Sequence, residues 1–171
     1  MAELLLMLTA AVLHELGHVL CAVLLNIPLS GLSLRPCGAV MTFDFSKTTY
    51  FRELCVHLAG GFFGILSAVL ALSAFGSAAV TFAGMSVCLT VMNLLPIEGF
   101  DGGGALYCLL AMMFPRYPDR VYAVCRAVSV VSVVLLWTLV LWVELRVRAG
   151  AALLMFVLYV MIFHTKIVNF Q

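Results

Sequence analysis

His14, Glu15 and His18 are residues of types that bind metals and move protons, and they fall together in the stretch His14-Glu15-Leu16-Gly17-His18. On a helix, side chains four residues apart emerge on one face, about 6 Å apart along the axis. Two imidazoles so placed suit one zinc ion, and Glu15, on the same turn, stands where it can take a proton from a water activated there. The stretch lies inside residues 4–25, which contain no Pro, Lys or Arg and are long enough to cross a bilayer as a helix. Ionisable groups at membrane depth are costly. Either these hold a metal, or they satisfy one another through buried hydrogen bonds.

The composition sets the surroundings of that stretch. The chain has 171 residues, 65% hydrophobic and 10% charged, where soluble domains run near 45–50% apolar with roughly 25% charge. It reads as an integral membrane protein with nearly all its length in spans, the lipid bilayer being its first partner. The net charge of +1 says nothing about partners, and no basic run suggests nucleic acid. The six cysteines include no C-x-x-C pair and fall mostly in apolar segments, where Cys acts as a small hydrophobe. Cys21, three residues after His18, is either a soft third ligand or a buried thiol. The opening Met1-Ala2-Glu3 lacks a positive n-region, which argues against a cleaved signal peptide.

The elements that must position the histidines follow from the pattern of apolar runs and breakers. The expected fold is an all-α polytopic membrane protein with about five apolar spans, one broken helix and a small membrane-associated β-hairpin. It forms one membrane-embedded domain over 1–171, with a core over 4–114 and C-terminal spans over 119–166. The first span, 4–25, is stopped by Asn26 and Pro28. Alternating Leu32 and Leu34, then Met41, Phe43 and Phe45, read as two short strands around Arg35-Pro36-Cys37-Gly38. Bare strand edges cannot face lipid, so this hairpin should pack on protein. A second span over 51–75 carries Gly60, Gly61 and Gly64, a small-residue face that admits a close neighbour. Only Gly76-Ser77 separates it from a third segment over 78–95, so the two are antiparallel neighbours. The third segment ends at NLLPIEGFDGGGALY, whose Pro and Gly residues break a helix between apolar stretches, with 105–114 apolar again. Such a break at membrane depth is tolerated only where it is buried or lines a wet cavity. A fourth span is expected over 121–143, and a fifth, short one over 149–163. With most Lys and Arg on one side, the positive-inside rule turns the hairpin and the broken helix to the cytosol of a multi-pass cell-membrane protein.

A catalytic zinc generally has three protein ligands and one open position, so two histidines leave a ligand to find. His57, Glu98 and Asp101 are the residues that can reach membrane depth. Asp101 lies in the glycine-rich break, where missing side chains allow close approach; it also suits the N-cap of the following helix. Glu98 shares the loop, and a histidine at the position of His57 suits a hydrogen-bonded interfacial role. Asn93 sits in an apolar run, where it binds substrate backbone or bonds a neighbouring helix.

Together HELGH in an apolar span, the RPCGAV hairpin, HLAGGFFG and NLLPIEGFDGG resemble, in order and spacing, the site-2 protease family of intramembrane zinc metalloproteases. The compact hairpin and lack of an appended regulatory domain look most like the sporulation branch, which processes a pro-sigma factor. The resemblance implies zinc held by His14, His18 and Asp101, catalysis through Glu15, and Asn93 and Pro96 as the asparagine and proline of N-x-x-P-x-x-x-x-D-G. Two departures stand out. The family's Ala-Gly-Pro-x-x-Asn reads Ala59-Gly60-Gly61-Phe62-Phe63-Gly64 here, and Glu98 replaces a second proline of the last loop. Neither touches an implied metal ligand; both bear on how substrate is positioned.

The expected function is thus intramembrane proteolysis of a membrane protein or membrane-associated pro-protein, with a possible regulatory membrane partner. A catalytically inactive binding protein of the same fold is the alternative. A metal or proton transporter would need two similar halves and more than one intramembrane charge cluster, and neither is visible.

Overall fold

The computed structural model describes residues 1–35 and 38–147. In chain order these form helix α1 (Ala2–Leu24), strands β1 (Leu29–Arg35) and β2 (Gly38–Phe43), helix α2 (Tyr50–Phe75), a 3₁₀ turn (Gly76–Ala79), and helices α3 (Val80–Asn93), α4 (Asp101–Met113) and α5 (Pro118–Val147). The expected fifth apolar segment, over 149–163, lies outside the described residues, as do Pro36 and Cys37 of the hairpin.

Helix α1 stops for a local reason. Asn26 takes a left-handed conformation (φ 54°), which its short polar side chain tolerates. The Ile27 N–H then donates to the Ala22 carbonyl at 2.8 Å and the Asn26 N–H to that of Val23 at 3.1 Å, the paired bonds of a Schellman motif. Its apolar contact is present as well: Ala22, Ile27 and Val56 form a buried cluster, with Phe43 and Phe45 packed against it. The same cluster therefore ends α1, joins it to α2 and seats the exit of β2. The strands pair antiparallel, from Arg35 opposite Gly38 to Leu29 opposite Phe43, with an irregularity between Leu29 and Gly31.

Helix α2 starts at Thr49, whose Oγ1 accepts from the Arg52 N–H at 3.4 Å. At Gly76 (φ 57°) the chain turns back, and α3 lies antiparallel against α2. The Ser86 Oγ donates to the Gly64 carbonyl at 2.8 Å, and a side chain at Gly64 would collide with Thr90 Oγ1. A Cβ at Gly61 would lie 3.3 Å from Thr90 Cγ2. Gly61 and Gly64, which stand where the pattern this chain resembles has Pro and Asn, thus lie on the α2–α3 seam.

Among the described residues, three helical stretches are long and apolar enough to cross a membrane: Ala2–Leu24, the folded-back Tyr50–Asn93 and Pro118–Val143. Large apolar side chains such as Leu5, Val12, Phe62, Val69, Val131 and Leu135 face outward, a surface suited to lipid rather than water. The 14 residues of α3 rise only about 21 Å, short of the roughly 30 Å hydrocarbon core. Helix α4, running onward, begins four residues before the expected apolar stretch, at Asp101 itself. The break between them lies beside the middle of α1, where Asp101 meets His14 and His18.

Helix α1 can approach α2 closely because residue 17 is glycine: a Cβ there would lie 2.7 Å from the Ala59 carbonyl oxygen and 2.8 Å from Phe63 Cβ. Gly17→Ala should lower stability by about 1–3 kcal/mol, the usual cost of overpacking. Thermal unfolding in detergent would show this, with Leu16→Ala on the exposed face of α1 as the control expected to change little.

Candidate metal centre

His14 and His18 lie one turn apart on α1, both buried. The His18 Nδ1 stands 2.7 Å from the Val56 carbonyl oxygen on α2. A carbonyl only accepts, so Nδ1 carries the proton and the Nε2 of neutral His18 is left as a lone pair. That Nε2 is 3.3 Å from His14 Nε2 and 3.2 Å from Asp101 Oδ2, while His14 Nε2 is 3.0 Å from the same carboxylate oxygen. The His14 Nδ1 is buried without a partner among the described residues, so this ring's polar engagement is on its Nε2 side.

Asp101 reaches this point because α4 opens on it. Phe100 occupies the N-cap position and makes no side-chain cap bond, and the Asp101 carboxylate is turned to the histidines. The loop before it is folded tightly: the Phe100 N–H donates to the Ile97 carbonyl at 3.0 Å, and Ile97 is fully buried. Any side chain at Gly102 or Gly103 would collide with the carbonyls of Leu94 or Ile97, so those glycines let α4 start against its own loop.

The three converging atoms fit a zinc ion on two counts. Two imidazole nitrogens and a carboxylate oxygen are zinc donors, and zinc–ligand distances of about 2.0–2.1 Å in a tetrahedron imply ligand–ligand edges near 3.3 Å, close to those found. With both imidazoles neutral, hydrogen bonding alone serves the trio poorly: at most one proton, on His14 Nε2, lies among the three atoms, and the 3.2 Å contact between His18 Nε2 and Asp101 Oδ2 is left without one. Room for an ion is also present. A Cβ at Gly60 of α2 would lie 2.8 Å from His14 Nε2 and collide with His18 Nε2, so the missing side chain leaves open the space that the donors face.

The remaining candidates are placed as follows. Glu15 is half-buried on α1, in electrostatic range of His14, His18 and Asp101. Asn93 closes α3 and is half-buried at the mouth of the break. Glu98 is turned to α5, its carboxylate 3.5 Å from the Tyr122 hydroxyl and its N–H donating to Ser129 Oγ at 2.9 Å, and it does not join the trio. Cys21 packs on the Ala22–Ile27–Val56 cluster instead. His57 stands beside the site, its Nδ1 3.9 Å from Asp101 Oδ1, with the ring of Phe45 against it at 5.9 Å. Sequence reasoning missed the Val56 carbonyl, a backbone group that leaves no residue-type signal. It also read Gly60 only as a helix-packing residue.

The family Peptidase family M50 matches residues 2–81, which include the two histidines and Glu15. The fold is similar to that of the site-2 protease from Methanocaldococcus jannaschii, with a TM-score of 0.64 and 21% identity over 95% of this chain and 75% of that one. No curated protein matches the chain.

Proposed function

We propose that this chain is an M50 peptidase: a zinc-dependent intramembrane endopeptidase that hydrolyses a peptide bond in a membrane protein or membrane-associated pro-protein. The observation that carries the reading is the convergence of His14 Nε2, His18 Nε2 and Asp101 Oδ2, all within 3.3 Å of one another. His14, His18 and Asp101 would hold the ion; bound zinc supplies Lewis acidity that polarises the scissile carbonyl and brings the pKa of water toward neutrality. Glu15 takes the proton from the attacking water and delivers it to the leaving amine. The Val56 carbonyl holds the His18 ring and its tautomer. Asn93 binds substrate backbone at the break, where an unwound segment of a substrate helix offers free carbonyls. The multi-pass chain turns its hairpin and α4–α5 link to the cytosol, because Lys47, Arg52, Arg116 and Arg120 lie at that end while Arg146 lies at the other. The compact hairpin favours the sporulation branch, with a pro-sigma factor as substrate.

Metal removal tests this. Co-expressed with a panel of single-span membrane proteins, the chain should yield cleavage products that disappear with a permeant zinc chelator and return on adding zinc. A cleavage pattern indifferent to the chelator, or identical to that of cells lacking the chain, would favour the alternative of an inactive binding protein.

A further inference from the structure

A second cluster of ligand-type side chains lies along the seam between α2 and α4: Glu53, His57 and Cys108, each offering one ligand atom within 4.8 Å of the others. The register of the two helices produces it. They run antiparallel, and α4 meets α2 without a side chain between them at Gly104, where any Cβ would collide with the His57 ring. One turn back along α2 is Glu53 and one turn on along α4 is Cys108, so the close approach at Gly104 places carboxylate and thiol opposite each other. Cys108 is fully buried, packed with Leu54 and Ala105. Glu53 and His57 keep 18% and 24% side-chain exposure, which leaves an approach from the hairpin end. The His57 Nε2 faces Glu53 Oε1 at 3.9 Å, while its Nδ1 faces Asp101 Oδ1 at 3.9 Å.

We propose that Glu53, His57 and Cys108 form a second divalent-cation site, distinct from the His14–His18–Asp101 centre and suited to zinc or a similar borderline metal. The donor set is the argument. Imidazole, carboxylate and thiolate together select zinc, cobalt or cadmium over magnesium or calcium, which prefer all-oxygen shells. Binding takes the thiol as thiolate and releases its proton to solvent. With Nε2 on a cation, the proton of neutral His57 sits on Nδ1, facing the Asp101 carboxylate. At 3.9 Å the pair is not a hydrogen bond, but it stands in the order carboxylate, imidazole, metal that usually supports a ligating histidine. Here that carboxylate also faces the first centre, so by linkage filling one site changes the affinity of the other. The inference does not rest on the proteolytic reading, because it concerns donors outside the trio and is read by spectroscopy.

Cobalt(II) titration of the purified full chain in detergent tests it. Two equivalents should bind, one of them bringing the near-ultraviolet charge-transfer absorption of a cobalt–thiolate bond. Cys108→Ser should abolish that absorption, and Glu53→Gln should weaken the equivalent that carries it by more than about 100-fold, beyond the 10–100-fold typical of losing an outer-shell partner. In His14→Ala the thiolate band should persist while the other equivalent is lost. A wild-type chain that binds one equivalent with no thiolate band overturns the proposal, as does a band that survives Cys108→Ser. A thiol that only donates its S–H to Glu53 would give the first of these results.

Discussion

Gly60→Ala should empty the metal centre while leaving the helices folded. The added methyl group would occupy the space between the two imidazoles, colliding with His18 Nε2 and lying 2.8 Å from His14 Nε2. Neither ring can step aside cheaply: His18 is tied through Nδ1 to the Val56 carbonyl at 2.7 Å, and both are buried. The expected loss of zinc affinity is more than about 100-fold, larger than the 10–100-fold that follows from disturbing an outer-shell partner. Helical content by circular dichroism should stay near wild type. Gly61→Ala is the control one residue along: its Cβ would lie 3.3 Å from Thr90 Cγ2, on the α3 side of the helix, so a small shift accommodates it and zinc binding should survive. Equal zinc affinity in Gly60→Ala and wild type would mean that the ion, if bound, sits elsewhere.

Glu15→Gln should do the converse, keeping zinc and losing cleavage. Gln has the shape of Glu but cannot take a proton from water, and Glu15 is not one of the three converging donors. General acid–base groups contribute roughly 10²–10⁴-fold, and the cleavage rate should fall within or beyond that range. Bound zinc should be unchanged, and the inert protein should retain substrate that co-purifies for identification. If Glu15→Gln still cuts a co-expressed membrane substrate at the wild-type rate, the proton passes through another group. The pair of variants thus separates holding the ion from using it.

Much of this was legible in the chain, and the limits have physical causes. The i, i+4 spacing of His14 and His18 fixes their common face whatever surrounds them, and breakers mark the helix ends: Asn26 and Pro28 after α1, Gly76 between α2 and α3, the glycines before α4. Asp101 was a ligand or an N-cap on the sequence alone; the difference lies in which residue takes the cap position, and the structure puts Phe100 there. What the sequence did not disclose depends on helix register. The support of His18 by the Val56 carbonyl, the opening at Gly60, and the meeting of Cys108 with Glu53 all follow from how far α1 and α4 slide along α2. That is decided by small-residue contacts at Gly17 and Gly104, which have no periodic signature of their own. The i, i+4 spacing of Glu53 and His57 was a visible hint of a second cluster, but Cys108 is too distant in sequence to be paired with them by pattern.

The central claim is that Asp101, in the broken helix, completes one metal centre with the two histidines of α1. Its most direct test is competition of zinc against a chromophoric chelator for wild-type and Asp101→Ala protein, with Glu53, His57 and Cys108 unaltered in both. Loss of one tight-binding equivalent from Asp101→Ala, matched by the loss in His14→Ala, is the predicted result. An Asp101→Ala protein that binds that equivalent as tightly as wild type would contradict the account.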